Sequence, residues 1–285
     1  MTRVAVATCA GENVDPDSPR LLAALADAGF DAELAIWDDA AVAWSRYDAV
    51  VVRSTWDYAP RRAEFLAWAR DIARLENPYE VIAYSTDKHY LADLGQLGVP
   101  VVPSTFCDVG RAPIFPEGDF VVKPCVGAGS MLADRYDAND LTRARDHVAQ
   151  LHAQGRDVLI QPYVDSVDDV GERALIFIDG SFSHAMTKGA MLNVTQLDRN
   201  ALFRREQMSL AVAEPDALEV ARAALRAAGA QDLLYARVDL VRTTSGWALM
   251  ELELAEPSLF LSFHPPAATN LAEALRRRLD ASVGL

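Results

Sequence analysis

The sequence predicts a mixed α/β protein whose N-terminal part is a parallel sheet covered by helices and whose C-terminal part is built on antiparallel hairpins. Two observations carry the first half of that statement. Residues 3–8, 31–37 and 47–53 are short apolar or alternating runs, and helix-like segments at 20–28 and from Pro60 to about Arg74 alternate with them. A third observation carries the second half: from Arg173 onward, alternating runs follow one another through turn residues at Asp179-Gly180 and at Thr243-Thr-Ser-Gly246. A chain of 285 residues can bury two or three compact lobes.

In chain order, the first helix stops at Gly29, and Pro60 opens the second with the φ that a first helical turn needs. A dinucleotide site would require Gly-x-Gly-x-x-Gly directly after the first strand. The chain has Cys9-Ala-Gly-Glu-Asn13 there, which argues against hydride transfer. Ligands of open α/β sheets bind outside the carboxyl ends of strands, so Arg53, Ser54 and Trp56 are candidates to receive a substrate. Arg53 either grips a carboxylate in a bidentate pair or pairs with a neighbouring acid. Residues 85–98 read as a helix N-capped by Ser85 and stopped by Gly98 with Pro100 beyond, which places Lys88 in the first turn. The helix dipole disfavours a cation there unless an anion joins it; otherwise Lys88 is a solvated surface residue.

A strand over 119–123 delivers Lys123 into the small-residue loop Pro124-Cys-Val-Gly-Ala-Gly-Ser130. Glycines there let backbone N–H groups approach a phosphate, although such a loop is also an ordinary turn. A strand over 157–164 runs into an acidic linker over 165–172, followed by a hairpin of 173–178 with 181–188 about Asp179-Gly180. Residues 203–233 read as mostly helix, with 215–228 amphipathic, and 271–279 as a basic terminal helix.

The net charge of −14 makes the overall field unsuited to nucleic acid or an anionic membrane, since that affinity needs clustered Lys and Arg. Any phosphate must be held in a local basic pocket or on a metal. The N-terminus has no signal-peptide pattern and no run reaches the roughly 18–20 apolar residues of a membrane span, so a cytoplasmic location is expected. Cys9, Cys107 and Cys125 fit no zinc or disulfide spacing and are expected to be reduced. The five histidines (His89, His147, His152, His184 and His264) form no triad or metal pattern; His184 is either a substrate contact or a satisfied hairpin residue.

The chemistry concentrates in the hairpin of 235–242 and 247–254. Period 2 places Arg237 and Asp239 on one face of its first strand and Glu251 and Glu253 on one face of its second. Paired about Ser245, Asp239 lies across from Glu251 and within reach of Glu253. Three carboxylates that close repel, and their pKa values rise unless a cation sits among them. Oxygen-only donors suit Mg²⁺ better than zinc. The plainer alternative is a solvated edge with alternating charges.

In order, Thr86-Asp-Lys88, Val122-Lys-Pro124 with its glycine loop, Gln161-Pro-Tyr-Val164, Gly171-Glu172, Lys188, Arg237-Val-Asp239 and Glu251-Leu-Glu253 resemble the ATP-grasp superfamily. Asp239 and Glu251 stand twelve apart, as that family's metal carboxylates commonly do. More narrowly, Trp44-Ser, Val52-Arg-Ser-Thr-Trp56, residues 183–189, 236–242 and 251–259 resemble the superfamily's cyclo-ligases acting on O-ureido-D-serine. The resemblance covers nearly the whole chain. It implies an ATP-grasp fold with a substrate lobe over 1–84, a central lobe over 85–160 and a C-terminal lobe over 161–285, the last two sandwiching the nucleotide.

By that resemblance, Lys88 and Lys123 contact ATP phosphates beneath a loop of Gly127, Gly129 and Ser130, and the Gln161 strand offers its backbone through Tyr163 and Val164 to adenine. Glu172 binds the ribose, Lys188 the γ-phosphate, and Asp239, Glu251 and Glu253 carry Mg²⁺, expected as two ions. Glu253 departs from the family's frequent Asn. Arg237 and Lys188 are the catalytic candidates, and Arg53, Ser54, Arg173 and Ser258 the substrate candidates. The implied activity is ADP-forming carboxylate–amine ligation through an acyl phosphate on a small amino-acid-like substrate, within antibiotic biosynthesis. The assembly expected is a homodimer or homotetramer. Two other readings stay open: phosphoryl transfer to a non-carboxylate acceptor, and a non-catalytic ATP-binding module. The latter has no need of Arg237.

Overall fold

The computed structural model describes residues 1–11, 14–129, 131–189 and 208–283. Ser130 and the start of the helix expected over 203–233 lie outside the described residues. The N-terminal lobe contains β1 (Thr2–Thr8), α1 (Ser18–Asp27), β2 (Phe30–Ile36), β3 (Ala49–Ser54), α2 (Arg62–Asp71), β4 (Leu75–Glu76) and α3 (Tyr79–Ser85). Its four strands form a parallel sheet in the order β2-β1-β3-β4. All six residues of β3 are buried, as a strand covered on both faces must be.

The expected helix over 85–98 is instead two pieces. Ser85 ends α3, and α4 (Tyr90–Gln96) begins two residues after Lys88. The Lys88 N–H donates to the Cys125 carbonyl at 3.0 Å, and Asp87 accepts from the His89 N–H at 3.2 Å, so the connection is held by tertiary and local bonds that a continuous helix would forgo. The central sheet is antiparallel, built from β5 (Thr105–Cys107), β6 (Phe120–Pro124), β7 (Asp134–Tyr136) and β8 (Val158–Pro162) in the order β5-β8-β6-β7, with α5 (Leu141–Ala153) on one face.

After α6 (Ser166–Asp169) come β9 (Glu172–Ile178), β10 (Ser181–Lys188), β11 (Met208–Ala211), α7 (Pro215–Ala227), β12 (Tyr235–Thr243), β13 (Gly246–Glu253) and α8 (Pro266–Val283). The strands form an antiparallel sheet in the order β11-β10-β9-β12-β13. β11 corrects the reading of 203–233 as mostly helix: Ala185 to Lys188 pair with it and draw Met208–Ala211 into the ladder. The β9–β10 turn has positive φ at both Asp179 and Gly180, as a tight hairpin needs.

One face of this sheet is covered by α7 and α4: Val238, Leu240, Leu175 and Leu252 share a core with Ala221, Leu225, Tyr90 and Leu94. Residues 90–94, grouped in the sequence with the central lobe, thus pack on the C-terminal sheet. The edge strand β13 is closed by the Val99–Val102 stretch, with the Leu249 N–H donating to Pro100 and its carbonyl accepting from Val102. The other face is apolar at one end, where Tyr235, Ile176, Ile178 and Met186 meet α8 and α1 of the N-terminal lobe. Its remaining length carries the charged residues.

Candidate active site

Strand pairing assembles the charged group, because residues opposite each other in an antiparallel ladder share a face. Asp239 lies opposite Glu251, Arg237 opposite Glu253, and Lys188 opposite Glu172. The hairpin register is the one read from the sequence, apart from a bulge after Asp239. Gly171 sets the approach to β9: its φ is +75, and a Cβ there would fall 2.5 Å from the Lys188 carbonyl oxygen.

Asp239 is fully buried and accepts three hydrogen bonds, which leaves one lone pair on Oδ1 for a further partner. Its Oδ1 accepts from Arg237 Nε at 2.9 Å, and its Oδ2 accepts from Arg237 Nη2 at 3.0 Å and Lys188 Nζ at 2.8 Å. Lys188 also pairs with Glu172 at 2.9 Å, Lys88 pairs with Glu251 at 2.7 Å, and Arg237 bonds Glu253. Lys188, Lys88 and Arg237 thus set side-chain cations among the carboxylates. Burial would raise the Asp239 pKa, but Arg237 and Lys188 hold it below the usual carboxylate range. Glu251 is lowered likewise, burial being outweighed by Lys88 and Lys123. Glu253 moves the other way, pushed up to about 7 by burial and by Asp239 and Glu251, against the pull of Arg237.

The central sheet supplies the facing wall. Alternation along β6 and β8 puts Val122, Val158 and Ile160 into the α5 core and turns Lys123, Leu159 and Gln161 the other way, with Leu159 packed in the core of the C-terminal sheet. Burial, with Lys88 and Lys188 adding to it, lowers the Lys123 pKa against the attraction of Glu251. Lys88 Nζ donates to the Gly127 carbonyl at 3.1 Å and so ties the glycine loop, in which Gly129 has positive φ, to Glu251. Gln161 donates to Ser104 Oγ at 2.9 Å, and the Tyr163 ring lies under the Arg135 guanidinium at 3.5 Å; Val164 packs with Met250 and Val102. The side chains of Gln161 and Tyr163 are thus engaged, and the Tyr163 N–H donates to the Asp119 carbonyl at 2.8 Å.

The substrate candidates divide. Ser258 contributes its carbonyl, which accepts from Arg237 Nη1 at 3.1 Å. Arg53 is buried against Asp15 at 3.0 Å, Ser54 is bonded to Thr8 at 2.7 Å, and Trp56 donates to the Glu256 carbonyl at 2.9 Å. Arg173 is not brought into the site. It points to the opposite face of the sheet, where it pairs with Glu214 at 2.9 Å and lies 5.7 Å from the Trp247 ring, because Glu172 takes the site face and its neighbour must take the other. His184 sits on the site face, stacked on His264 at 4.8 Å and bonded to the Leu259 carbonyl; burial and His264 lower its pKa to about 4.

The sequence reading missed Glu256 and Phe260. Burial and the nearby Glu253 push Glu256 up to about 8, and it shares a hydrogen bond with Tyr58 of the N-terminal lobe. Phe260, at φ +51, holds its ring 5.4 Å from the Arg237 guanidinium carbon. The only signal for either was adjacency to the Glu251–Glu253 strand.

A family model described as the N-terminal domain of D-cycloserine synthetase DcsG matches residues 4–77. The cycloserine biosynthesis protein DcsG of Streptomyces lavendulae is 42% identical over 291 residues, covering 93% of this chain and 95% of that protein. The crystal structure of D-cycloserine synthetase DcsG superposes with a TM-score of 0.87 at 40% identity, covering 97% of this chain and 99% of that one. D-alanine–D-alanine ligase from Bacillus anthracis shares the fold at a TM-score of 0.67 and 15% identity, covering 99% and 100% of the two chains. With the motif order, the paired sheets and the buried carboxylate–cation cluster all in place, the chain belongs to the D-cycloserine synthetase family of ATP-grasp ligases.

Proposed function

We propose that this ligase activates the carboxylate of a small amino-acid-like molecule with ATP and closes it on an amine-type nitrogen of the same molecule, releasing ADP and phosphate. The observation that carries the reading is the buried Arg237–Asp239–Lys188 unit facing Glu251 and Glu253. The relatives support the class: DcsG is a D-cycloserine synthetase, and solved structures of fold neighbours are an ATP complex of D-alanine–D-alanine ligase and an Mg and ADP complex of PsnB.

The donor set suits Mg²⁺. One oxygen each from Asp239, Glu251 and Glu253 lies within 4.8 Å of the others, all are hard ligands, and two of the carboxylates are held ionised. When bound, Mg²⁺ neutralises charge on the phosphoryl group being transferred. Asp239 and Glu251 would hold it, and a second ion depends on Glu253 releasing Arg237.

Lys88 and Lys123 bind the nucleotide's phosphates, Glu172 the ribose, and the 162–164 backbone the adenine. Lys188 stabilises the transferring phosphate. A free carboxylate is a poor electrophile; once phosphorylated, its carbonyl is open to the nitrogen, the C–N bond forms and phosphate leaves. Arg237, clamped by Asp239, Glu253 and the Ser258 carbonyl, is positioned for the oxyanion of that step. The glycine loop keeps water from the acyl phosphate. A homodimer or homotetramer is the proposed assembly.

The test is ADP and phosphate release with Mg·ATP across amino acids and dipeptides, O-ureido-D-serine included, with mass spectrometry of products. Equal ADP and phosphate with a cyclised product is expected. ADP without a C–N product would favour phosphoryl transfer to another acceptor, and tight Mg·ATP binding without turnover across the panel would overturn the ligase reading.

A further inference from the structure

Arg237 is held from two sides, and a single strand reaches both. On β10, His184 and Lys188 stand four residues apart and turn to the same face of the sheet. Lys188 bonds Asp239, the acid that accepts from Arg237 Nε and Nη2. His184 Nε2 lies 3.0 Å from the Leu259 carbonyl oxygen, and the residues on either side of Leu259 touch the same arginine. The Ser258 carbonyl accepts from Arg237 Nη1 at 3.1 Å, and the Phe260 ring lies 5.4 Å from the guanidinium carbon.

The 258–260 turn needs such an anchor. It belongs to no helix or strand, and Phe260 has φ +51, a left-handed conformation that crowds a residue with a large side chain. The His184 ring is set up to hold the turn's carbonyl. The β9–β10 register shifts between Phe182 and His184, a bulge of the kind that re-aims a side chain, and Ser183 within it brings its hydroxyl to 3.0 Å from His184 Nδ1. A carbonyl only accepts, so Nε2 carries the proton, and Nδ1 with its lone pair accepts from Ser183. His184 is 5% exposed and stacked on His264; burial and then His264 lower its pKa to about 4, which keeps the ring neutral and this tautomer intact. With both ring nitrogens bonded, His184 has no polar atom left for a substrate.

We infer that His184 is a positioning residue for Arg237: through the Leu259 carbonyl it fixes the 258–260 turn, and the turn aims the guanidinium at the oxyanion that forms when the nitrogen attacks the acyl phosphate. Asp239 and Glu253 supply the charge that keeps Arg237 in the site; Ser258 and Phe260 supply its orientation. Orientation matters because a donor displaced by a fraction of an ångström loses much of its hold on a developing charge. The role deepens the ligase reading and rests on it. It also decides between the two readings of His184 from sequence: the ring is satisfied within the protein, and its effect on the reaction passes through Arg237.

The experiment is a double-mutant cycle between His184→Leu and Arg237→Lys in the full chain, read as kcat and KM for ADP release with Mg·ATP and O-ureido-D-serine, with His184→Gln as the conservative variant. His184→Leu should lower kcat by about 30-fold with both KM values within about twofold. His184→Gln, whose side-chain N–H can meet the same carbonyl, should recover to within about threefold of wild type. In the Arg237→Lys background His184→Leu should cost no more than about threefold, because a role exercised through Arg237 is lost with it. A histidine that only stabilises the fold would give equal losses in both backgrounds. If His184→Leu does not fold, Ser183→Ala keeps the ring and frees its tautomer; kcat should fall by about fivefold, again only where Arg237 is present. Additive losses, an unchanged kcat, or a raised substrate KM at unchanged kcat would overturn the inference alone. No ADP release by wild type from any substrate in the panel would overturn the ligase reading, and nitrogen NMR of labelled histidine then decides the positioning chain: an Nε2–H tautomer for His184 whose resonance moves in Arg237→Lys supports it, and an Nδ1–H tautomer or an unmoved resonance overturns it.

Discussion

Arg173 and Arg237 lie on neighbouring strands of one sheet, both buried and both paired to carboxylates, but on opposite faces. Arg173 bonds Glu214, whose side chain is 39% exposed and which sits at the start of α7. Its ion pair fastens a covering helix to the sheet, and water can replace either partner. Arg237 bonds Asp239, whose side chain is 0% exposed, and shares that acid with Lys188. No water can replace these partners. The exposure of the acid, more than that of the arginine, separates a scaffold pair from a functional one, because a charge stripped of its partner is costly only where solvent is absent.

The largest expected effect tests the buried arm. Asp239→Asn removes the charge that orders both Arg237 and Lys188, and turnover should fall by about 10³-fold or more with the circular dichroism spectrum retained. Near-normal ADP release would break the assignment of the site face. Arg237→Lys keeps the charge but cannot hold Asp239, Glu253 and Ser258 together; kcat should drop by about 100-fold, read in a single-turnover assay against an unchanged ATP affinity.

The outer arm should behave differently. Arg173→Met is expected to cost about 1 kcal/mol in urea unfolding while kcat and both KM values stay within about twofold. A substrate KM that rises tenfold would erase the contrast between the faces.

The smallest effect is on pH dependence. In the folded protein Glu256 holds its proton up to about 8, against 4.5 for an ordinary glutamate, chiefly through burial and then Glu253. Between those limits the folded state binds more protons than the unfolded one, so this group makes stability fall as pH rises through the window. Glu256→Gln should flatten the decline in unfolding midpoint between about pH 5 and pH 8; an identical slope in the variant would remove Glu256 from the site's electrostatics.

Much of this site was legible because its chemistry is local. The Asp239–Glu251 pairing follows from counting residues around a short turn, and the same counting places Glu253 across from Arg237. What escaped was decided at a distance. Ser85 has the chemistry of an N-cap, but the Lys88 N–H is taken by Cys125, so the helix starts at Tyr90. Met208–Ala211 becomes a strand only because β10 offers it a free edge. Glu256 stands next to the Glu251–Glu253 strand, but its proton affinity comes from burial and then from Glu253, against a hydrogen bond to Tyr58 nearly two hundred residues earlier.

By itself the sequence determined the alternation of strands, the order of the motifs and the identity of the charged cluster, since these depend on backbone periodicity and on contacts within a hairpin. Only the tertiary structure decided which face of the sheet became the site. α7 and α4 cover one face with Ala and Leu and leave Arg173 there as a clasp, while α8 and the N-terminal lobe cover only the apolar end of the other. The rest of that face, walled by the central sheet, is where Asp239 is buried with three hydrogen bonds and where desolvated charge can be held in place.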